Sequence, residues 1–344
     1  MRARLVDVAA RAGVSEATVS RVLNDRPGVS EATRQSVLRA VDLLGYQLPE
    51  RLRPKTFGTV GLIVPELSNP VFPRYVSALE RALLREHLVP VLCSSVAGGL
   101  HEDDYVRMLV QQHVAGIVFV CGIHSVAGED PARYLALRES GTPFVLVEGH
   151  LPGAPVTTMS TDDTLAVHLA VDHLGGLGHR TFGLVAGPLR YTAVQRRVGA
   201  FHAALARQGE GFRGSVEHDL FTLEGGYHGA ERLLDRGVTA LICASDVLAI
   251  GAMQAVRGRG LRVPEDVSVV GSDDSPTMEF IAPPLTTIAH PVAEIADATV
   301  QALLGEIAGR PVPRAEALFS PTLVVRASTA PAPVGAVPVR TEAV

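Results

Sequence analysis

Outward-facing residues near the beginning of the chain could read the base edges of DNA. Ser15 is a residue type that caps helices, so a short helix is predicted to begin at Glu16. Apolar side chains take the inner face of that helix, which leaves Glu16, Ala17, Thr18 and Arg21 outside. Carboxylate, methyl, hydroxyl and guanidinium groups can all hydrogen bond to or pack on base edges in the major groove.

The surrounding elements are typical of a helix-turn-helix, which residues 5–24 (LVDVAARAGVSEATVSRVLN) would form. Ala9 is small where two helices must cross closely, Gly13 permits a tight turn, and Val19 returns an apolar side chain to the first helix. The alternative is a small helical bundle that contacts no nucleic acid. A third helix is predicted between Ser30 and Gly45, because apolar residues recur there at helical spacing: Val37, Leu38, Val41 and Leu44.

The charge distribution favours DNA contact at one end of the molecule. Residues 1–55 hold ten Arg or Lys and six Asp or Glu, a net charge of +4, whereas the remaining residues are net −9. Lys55 is the only lysine, so arginine must supply almost every other basic contact to phosphate or guanine. A modest positive charge in the first 55 residues, followed by an acidic remainder, suits contact with DNA phosphates without general binding of polyanions.

Composition and motifs argue against a membrane protein and against an enzyme. The chain is 47% hydrophobic but has no run of 18 apolar residues, so we expect it in the cytoplasm. The P-loop, Gly-x-Ser-x-Gly and His-Glu-x-x-His patterns do not occur, and we expect no catalytic residue, metal or cofactor. The three cysteines end apolar runs and are predicted to be buried strand residues: Cys93, Cys121 and Cys243.

Short β-rich runs alternate with amphipathic stretches from residue 58 onward, as in parallel β-α-β units. The predicted fold is an all-α helix-turn-helix head followed by an α/β core of two doubly wound parallel-sheet lobes. Ligands bind such sheets beyond the carboxyl ends of the strands, so the cleft between the lobes is the candidate site. Four runs could form the first sheet (60–65, 90–95, 116–122 and 143–149) and three the second (182–188, 240–246 and 267–274).

From about Leu5 to Thr329 the chain resembles the LacI/GalR (lactose-repressor) family of transcription regulators. Segments such as VSEATVSRVLN, VGLIVPELSNPVF, HLGGLGHRTFGLVAGP, SDVLAIGAM and GLRVPEDVSVVGSDDSP occur in the order found in that family. The resemblance implies a core similar to periplasmic sugar-binding proteins, which closes on a small effector. It also implies a homodimer whose heads bind a pseudo-palindromic double-stranded DNA operator. Closure can alter DNA affinity only as far as the effector binds the two core arrangements unequally.

The function that this resemblance predicts is an effector-responsive repressor of carbohydrate-metabolism genes, with a sugar or sugar derivative between the lobes. Two alternatives stay open: a regulator that responds to nucleosides or purines, and a free sugar-binding protein. A helix-turn-helix in place of a signal peptide disfavours the second alternative.

The expected domains are a head (1–46), a linker (47–57), a core (58–329) and a disordered tail (330–344). Within the core, the first lobe would hold residues 58–157 and 288–318, and the second 158–287 and 319–329. The end of the chain has three prolines and no periodicity, which predicts disorder. It also has no leucine heptads, so we expect a dimer and not a tetramer.

The predicted DNA contacts include residues outside the base-reading positions. Glu16 and Ala17 are expected to set sequence specificity, because side chains at the outward start of the reading helix meet base edges. In the linker, Leu52 is the only apolar residue between Glu50 and Arg53 that could wedge into a minor groove. The remaining predicted contacts are caps and groups for the DNA backbone: Ser15, Thr18, Ser20, Arg21, Asn24 and Ser30.

The resemblance also implies effector contacts. Arg197 is expected to reach effector hydroxyls through its planar fork of donors, and Asp273 to accept hydrogen bonds from them. Phe72 and Phe221 could be aromatic walls or plain core. Ser272 departs from the family, which often has an aromatic residue there. Three further positions complete the predicted set, namely Asn69, Ser245 and Asp162, the last either a ligand contact or a helix cap, whereas Asp246 is expected to be a cap.

Overall fold

The computed structural model describes residues 4–23, 26–46, 58–95, 99–151 and 153–333. Asn24 and Leu52, two of the predicted DNA contacts, lie outside these ranges, as does the whole predicted linker. None of the described helices is both long and apolar enough to cross a membrane.

The head consists of three helices: α1 (Leu5–Ala12), α2 (Glu16–Leu23) and α3 (Glu31–Leu44). Gly13 ends α1 with a φ of 69°, a left-handed conformation that glycine adopts without steric cost. The sequence Ser-Glu-Ala-Thr begins both α2 and α3, and both serines act as caps. The Oγ atoms of Ser15 and Ser30 accept hydrogen bonds from the backbone N–H groups of Thr18 and Thr33, each at 3.2 Å.

The core of the head is a narrow apolar stripe, and the predicted third helix forms as α3. Of the four apolar residues that predict it, Val37 is buried and Val41 is half-buried, whereas Leu38 and Leu44 are 38% and 37% exposed. Among the described elements α1 and α2 pack on α3, so a stripe at i and i+3 is enough, and Ala40 takes the second buried place. The buried members of this core are Val8, Ala9, Val19, Val22, Val37 and Ala40.

Two sheets follow the head and confirm the predicted class of fold. Within the described residues the first sheet has the strand order β2-β1-β3-β4-β5-β11, and its pairs from β1 through to β11 are parallel. Its helices are α4 (Val71–Arg85), α5 (Glu102–Gln111), α6 (Ala132–Glu139) and α11 (Val292–Ile307). Its strands are β1 (Gly58–Val64), β2 (Leu88–Ser94), β3 (Gly116–Val120), β4 (Phe144–Val147), β5 (Thr158–Thr161) and β11 (Glu316–Phe319).

The second sheet repeats this arrangement with the order β7-β6-β8-β9-β10-β12 in the described part of the chain. Its pairs are parallel except for β10 with β12, which is antiparallel. Its helices are α7 (Asp163–Gly176), α8 (Thr192–Gln208), α9 (Leu223–Leu234) and α10 (Asp246–Gly258). Its strands are β6 (Thr181–Ala186), β7 (Arg213–His218), β8 (Ala240–Cys243), β9 (Ser268–Asp273), β10 (Thr286–Ala289) and β12 (Thr322–Val324).

Between residues 153 and 333 the chain passes from one lobe to the other three times: after β5, after β10 and after β11. The predicted lobe boundary at residue 158 was wrong by four residues, because β5 pairs with β4 and β11 in the first sheet. A backbone hydrogen bond of 2.9 Å from Asp162 to Phe319 ties two of these crossings together.

The tail prediction was wrong for residues 330–333, and the rest of the tail lies outside the described residues. The carbonyl of Ala330 accepts a hydrogen bond from Nε2 of the fully buried His179, and Ala332 N–H donates to Leu177. The Nδ1 atom of His179 lies 2.9 Å from Thr239 Oγ1. These bonds dock the segment onto the second lobe although it contains prolines, because its backbone polar groups find partners there.

His124 is a second fully buried histidine, in the turn that follows β3. Its Nε2 donates to the carbonyl of Val147 at 3.2 Å, and the Tyr134 hydroxyl lies 3.0 Å from its backbone N–H. Burial lowers the pKa of His124 to about 4. The unfolded chain, whose histidines have ordinary pKa values near 6.5, therefore binds a proton between about pH 6.5 and pH 4 that the folded protein does not bind.

Because of His124, we therefore expect the free energy of unfolding to decrease as the pH is lowered through this window. Lowering the pH from 7 to 5 should cost the wild type ~2 kcal/mol more in free energy of unfolding than the His124→Asn variant. Urea unfolding at pH 7, 6 and 5 measures this difference. The exposed His113→Asn variant is the control and should follow the wild type, and parallel pH profiles for all three proteins would contradict the prediction.

Candidate functional site

The outer face of α2 carries the predicted base-reading residues. Glu16, Ala17, Ser20 and Arg21 are exposed, and Thr18 is half-buried with its Oγ1 2.9 Å from Ser15 Oγ. Arg21 donates from Nη2 to the carbonyl of Pro27 at 2.6 Å. Glu16 and Ala17 are thus unobstructed at the first turn of the helix, and the guanidinium of Arg21 is tied to the segment that follows α2.

A cavity of about 490 Å³ lies between the two lobes. Its walls come from the carboxyl ends of strands in both sheets, the position where doubly wound sheets bind ligands. Six of the seven predicted effector contacts line it: Asn69, Phe72, Arg197, Phe221, Ser245 and Asp273.

Arg197 of α8 is fixed in the cavity wall by two hydrogen bonds. Its Nε donates to Asp163 Oδ1 and its Nη1 to the carbonyl of Ala244, each at 2.7 Å. Burial raises the pKa of the Asp163 carboxyl, and the guanidinium of Arg197 opposes that rise. Within the described part of the chain, neither of these two hydrogen bonds of Arg197 uses Nη2, so this nitrogen remains available to a ligand.

Asp273 is the last residue of β9 and lies in the cavity wall with 4% of its surface exposed. Its Oδ2 has no hydrogen-bond partner among the described residues. Burial and the neighbouring charge of Asp246 raise the pKa of Asp273 well above its ordinary value. A buried carboxyl oxygen without a partner loses its hydrogen bonds to water, and a ligand hydroxyl would restore one.

The structure separates the roles of two acidic residues at helix starts, Asp162 and Asp246. Asp162 does not line the cavity, because its Oδ1 caps α7 by accepting from Leu165 N–H at 2.9 Å. Asp246 was expected to cap α10, but Ser245 is the cap, with its Oγ 3.2 Å from Leu248 N. The buried carboxylate of Asp246 accepts from Thr287 Oγ1 and from Ser275 N–H, at 2.6 and 2.7 Å.

Aromatic rings form part of the cavity wall. The rings of Tyr191 and Phe221 have centroids 6.3 Å apart, and Phe72 lies in the first turn of α4 on the other lobe. Gly187 permits the close approach of the Phe221 ring, because a Cβ at that position would collide with it. Flat apolar surfaces of this kind can stack on the face of a sugar or a base.

Sequence reasoning missed several residues of the cavity. Glu148 follows β4 and accepts hydrogen bonds from Thr161 Oγ1 at 2.6 Å and from the Tyr75 hydroxyl. His290 directly follows β10, and Cys121 directly follows β3 and is half-buried instead of being a strand residue. The position of a polar residue immediately after a parallel strand was a usable signal for Glu148 and His290. The described residues contain no cluster that could hold a metal ion.

Arg74 of α4 bridges the two lobes beside the cavity. Its Nη1 donates to the carbonyls of Asp273 and Asp274, the second at 2.9 Å. Both aspartates have positive φ, 114° and 52°, in a turn that directly adjoins the cavity. A second bridge is the two-fold ion pair of Arg196 with Glu316, with both N–O distances 2.7 Å.

We expect Arg74→Met to weaken ligand binding about tenfold. The substitution removes the hydrogen bonds of the guanidinium to the carbonyls of Asp273 and Asp274, which form only when the two lobes are in contact. Methionine keeps the apolar stem of the side chain, so packing changes little. Calorimetry with a ligand of the cavity measures the effect, with Arg81→Met, an exposed arginine of the same helix, as the control. Equal affinity in Arg74→Met and wild type would show that this bridge does not support the bound arrangement.

The geometry of a helix-turn-helix head and a two-lobed core with a cleft agrees with comparisons to known proteins. Residues 4–48 match the family described as "Bacterial regulatory proteins, lacI family", and residues 171–329 match a "Periplasmic binding protein-like domain". The HTH-type transcriptional regulator MalR of Streptomyces coelicolor is 50% identical over 97% of this chain and 98% of its own length.

Two solved structures extend the likeness to nearly the whole fold. A complex of the transcriptional regulator CelR with cellobiose is 32% identical, has a TM-score of 0.71, and is covered completely by 95% of this chain. A lac repressor dimer bound to operator and the anti-inducer ONPF is 27% identical, has a TM-score of 0.68, and is covered completely by 96% of this chain.

The chain belongs to the LacI family of bacterial transcription regulators. It is a DNA-binding regulator with a periplasmic-binding-protein-like core, and its named relatives are regulators and not enzymes.

Proposed function

We propose that the protein is a repressor of carbohydrate-metabolism genes whose affinity for its operator changes when a sugar occupies the cleft. In this proposal a homodimer in the cytoplasm places two copies of α2 in successive major grooves of a pseudo-palindromic site. The observation that carries the proposal is the meeting of Arg197, Asp273 and the aromatic walls in one cavity between two lobes.

The charge and size of the cavity support a neutral sugar. The wall contains three carboxyl groups (Glu66, Glu148 and Asp273) and two guanidinium groups (Arg190 and Arg197), and Arg197 is already paired with Asp163. The described wall therefore has no cluster of arginines of the kind that holds a phosphate group. A volume of about 490 Å³ lies within the range of small-molecule sites and is roomy enough for a mono- or disaccharide. The CelR–cellobiose complex shows a related core with a disaccharide bound.

Selection from random DNA, followed by fluorescence anisotropy on the selected site, tests the proposal. The probes are cellobiose, maltose, ribose and galactose, with adenine and hypoxanthine to test the purine alternative. The expected result is an inverted-repeat consensus and a change of operator affinity with one of the sugars. A response to a purine alone, or a core whose thermal stability no sugar raises, would reject the sugar assignment.

A further inference from the structure

His290 is a buried histidine in the cavity wall, and one of its ring nitrogens has no partner among the described residues. It directly follows β10, is 6% exposed, and lines the cavity beside Asp273. Its Nε2 lies 3.1 Å from the Oγ of Ser272 and 3.9 Å from Oδ1 of Asp273. Its Nδ1 has no hydrogen-bond partner within the described residues.

The neighbouring strand accounts for the position of the ring. Strands β9 and β10 are parallel neighbours with Ser272 opposite Ile288 and Asp273 opposite Ala289, so His290 emerges beside the end of β9. Ser272 is buried and small, which leaves space for the imidazole and supplies a hydroxyl for Nε2. A larger side chain at position 272 would displace the ring from the cavity wall.

The imidazole is neutral at physiological pH. Burial, together with the positive charges of Arg197 and Arg74, lowers the pKa of His290 to about 3. A neutral imidazole has one donor and one acceptor nitrogen and matches a hydroxyl, which can both donate and accept. It offers no charge to a phosphate or carboxylate.

We propose that His290 is a specificity-determining residue of the cleft, whose Nδ1 hydrogen bonds to a ligand hydroxyl adjacent to the hydroxyl that Asp273 binds. Two unpartnered buried atoms, Nδ1 of His290 and Oδ2 of Asp273, then gain partners from one ligand. A ligand that lacks one of the two hydroxyls, or presents it on the other face of its ring, leaves a buried polar atom unpaired and is rejected. This inference rests on the proposed function, since it takes the ligand to be a polyhydroxyl compound.

Two substitutions separate the nitrogens of the ring. The amide of His290→Asn reaches the position of Nδ1, whereas the amide of His290→Gln reaches the position of Nε2 and keeps the contact with Ser272. Calorimetry is carried out with whichever of cellobiose, maltose, ribose or galactose the wild-type full-length protein binds, and with the monodeoxy derivatives of that sugar. The control is His173→Gln, which makes the same substitution at a half-buried histidine outside the cavity, whose Nε2 lies 3.0 Å from Thr329 Oγ1.

The expected result is about a tenfold loss of affinity in His290→Gln and a smaller loss, about threefold, in His290→Asn. One monodeoxy sugar should bind the wild type more weakly but bind His290→Gln no worse than the parent sugar does, which identifies the hydroxyl that Nδ1 contacts. His173→Gln should bind like the wild type.

Unchanged affinity in both His290 variants would overturn the inference and leave the proposed function intact. A wild-type protein that binds none of the four sugars would overturn the sugar assignment and the inference together. If neither variant folds, Ser272→Ala replaces them, because it removes a single oxygen. Release of the imidazole should then weaken sugar binding about threefold, and an unchanged affinity would reject the role of His290.

Discussion

Replacing Arg197 with alanine is expected to weaken binding of the proposed sugar ligand by about 100-fold, with the affinity of the free protein for its operator unchanged. The Arg197 side chain is only 12% exposed in the cavity wall, so its hydrogen bonds to a ligand form in a surrounding of low dielectric. Its removal also leaves the buried carboxylate of Asp163 without its ion-pair partner beside the ligand. The operator response to the sugar should disappear at concentrations that saturate the wild type.

Arg207→Ala is the matched control for this variant. Arg207 lies on the same helix and also pairs with an aspartate, Asp172, but both side chains are 51% exposed. Exposed pairs contribute little, so sugar binding should stay within about twofold of the wild type. Calorimetry and operator anisotropy measure both proteins, and equal sugar affinity in Arg197→Ala and Arg207→Ala would remove Arg197 from the proposed site.

Exchanging Glu16 and Ala17, as Glu16→Ala with Ala17→Glu, is expected to lower affinity for the selected operator about 10- to 100-fold and to change the preferred sequence. Both residues lie exposed in the first turn of α2, where a carboxylate and a methyl group discriminate different base edges. Binding at low salt should persist, because contacts to phosphate do not depend on sequence.

The head provides its own control for this exchange. The cap and the first three residues of α2 and of α3 are both Ser-Glu-Ala-Thr, so Glu31→Ala with Ala32→Glu makes the same pair of substitutions at the same helix positions. Glu31 also accepts a hydrogen bond from Gln35 Nε2 at 2.9 Å, so the α3 exchange should destabilise its helix at least as much as the α2 exchange does. Only the α2 exchange should alter the consensus that selection from random DNA returns. If the α3 exchange alone altered it, α3 would be the helix that reads the bases, and the prediction for α2 would be wrong.

The sequence predicts the inner strands of the fold and the edge strand β2 well, and the other outer strands poorly. Central strands such as β3 are fully buried and appear as continuous apolar runs. The missed strands are short or polar, as in β7 with Arg213, Glu217 and His218, or lie towards a sheet edge. An edge strand needs only one neighbour and can expose a face, so it leaves a weak apolar signal.

Sequence reasoning finds single site residues but not the partners that hold them. Asp162 and Asp163 are adjacent in the sequence and chemically identical. Because α7 begins at Asp163, Asp162 caps the helix and Asp163 pairs with Arg197. Ser245 and Asp246 repeat this division at the start of α10. The hydrogen bond from the Tyr75 hydroxyl to Glu148 joins residues that are distant in the chain, and no local sequence pattern predicts it.

The three crossings between the lobes make the last 44 described residues (290–333) necessary to both lobes. Everything after Ala289 supplies α11 and β11 to the first lobe, and then β12 and the segment bonded to His179 to the second. A chain shortened at this point would lose an outer strand from each sheet at once, so neither lobe can be produced intact from one continuous piece of the sequence. Termination before β11 therefore damages both lobes at once, whereas termination between β11 and β12 removes β12 and the segment bonded to His179 from the second lobe alone.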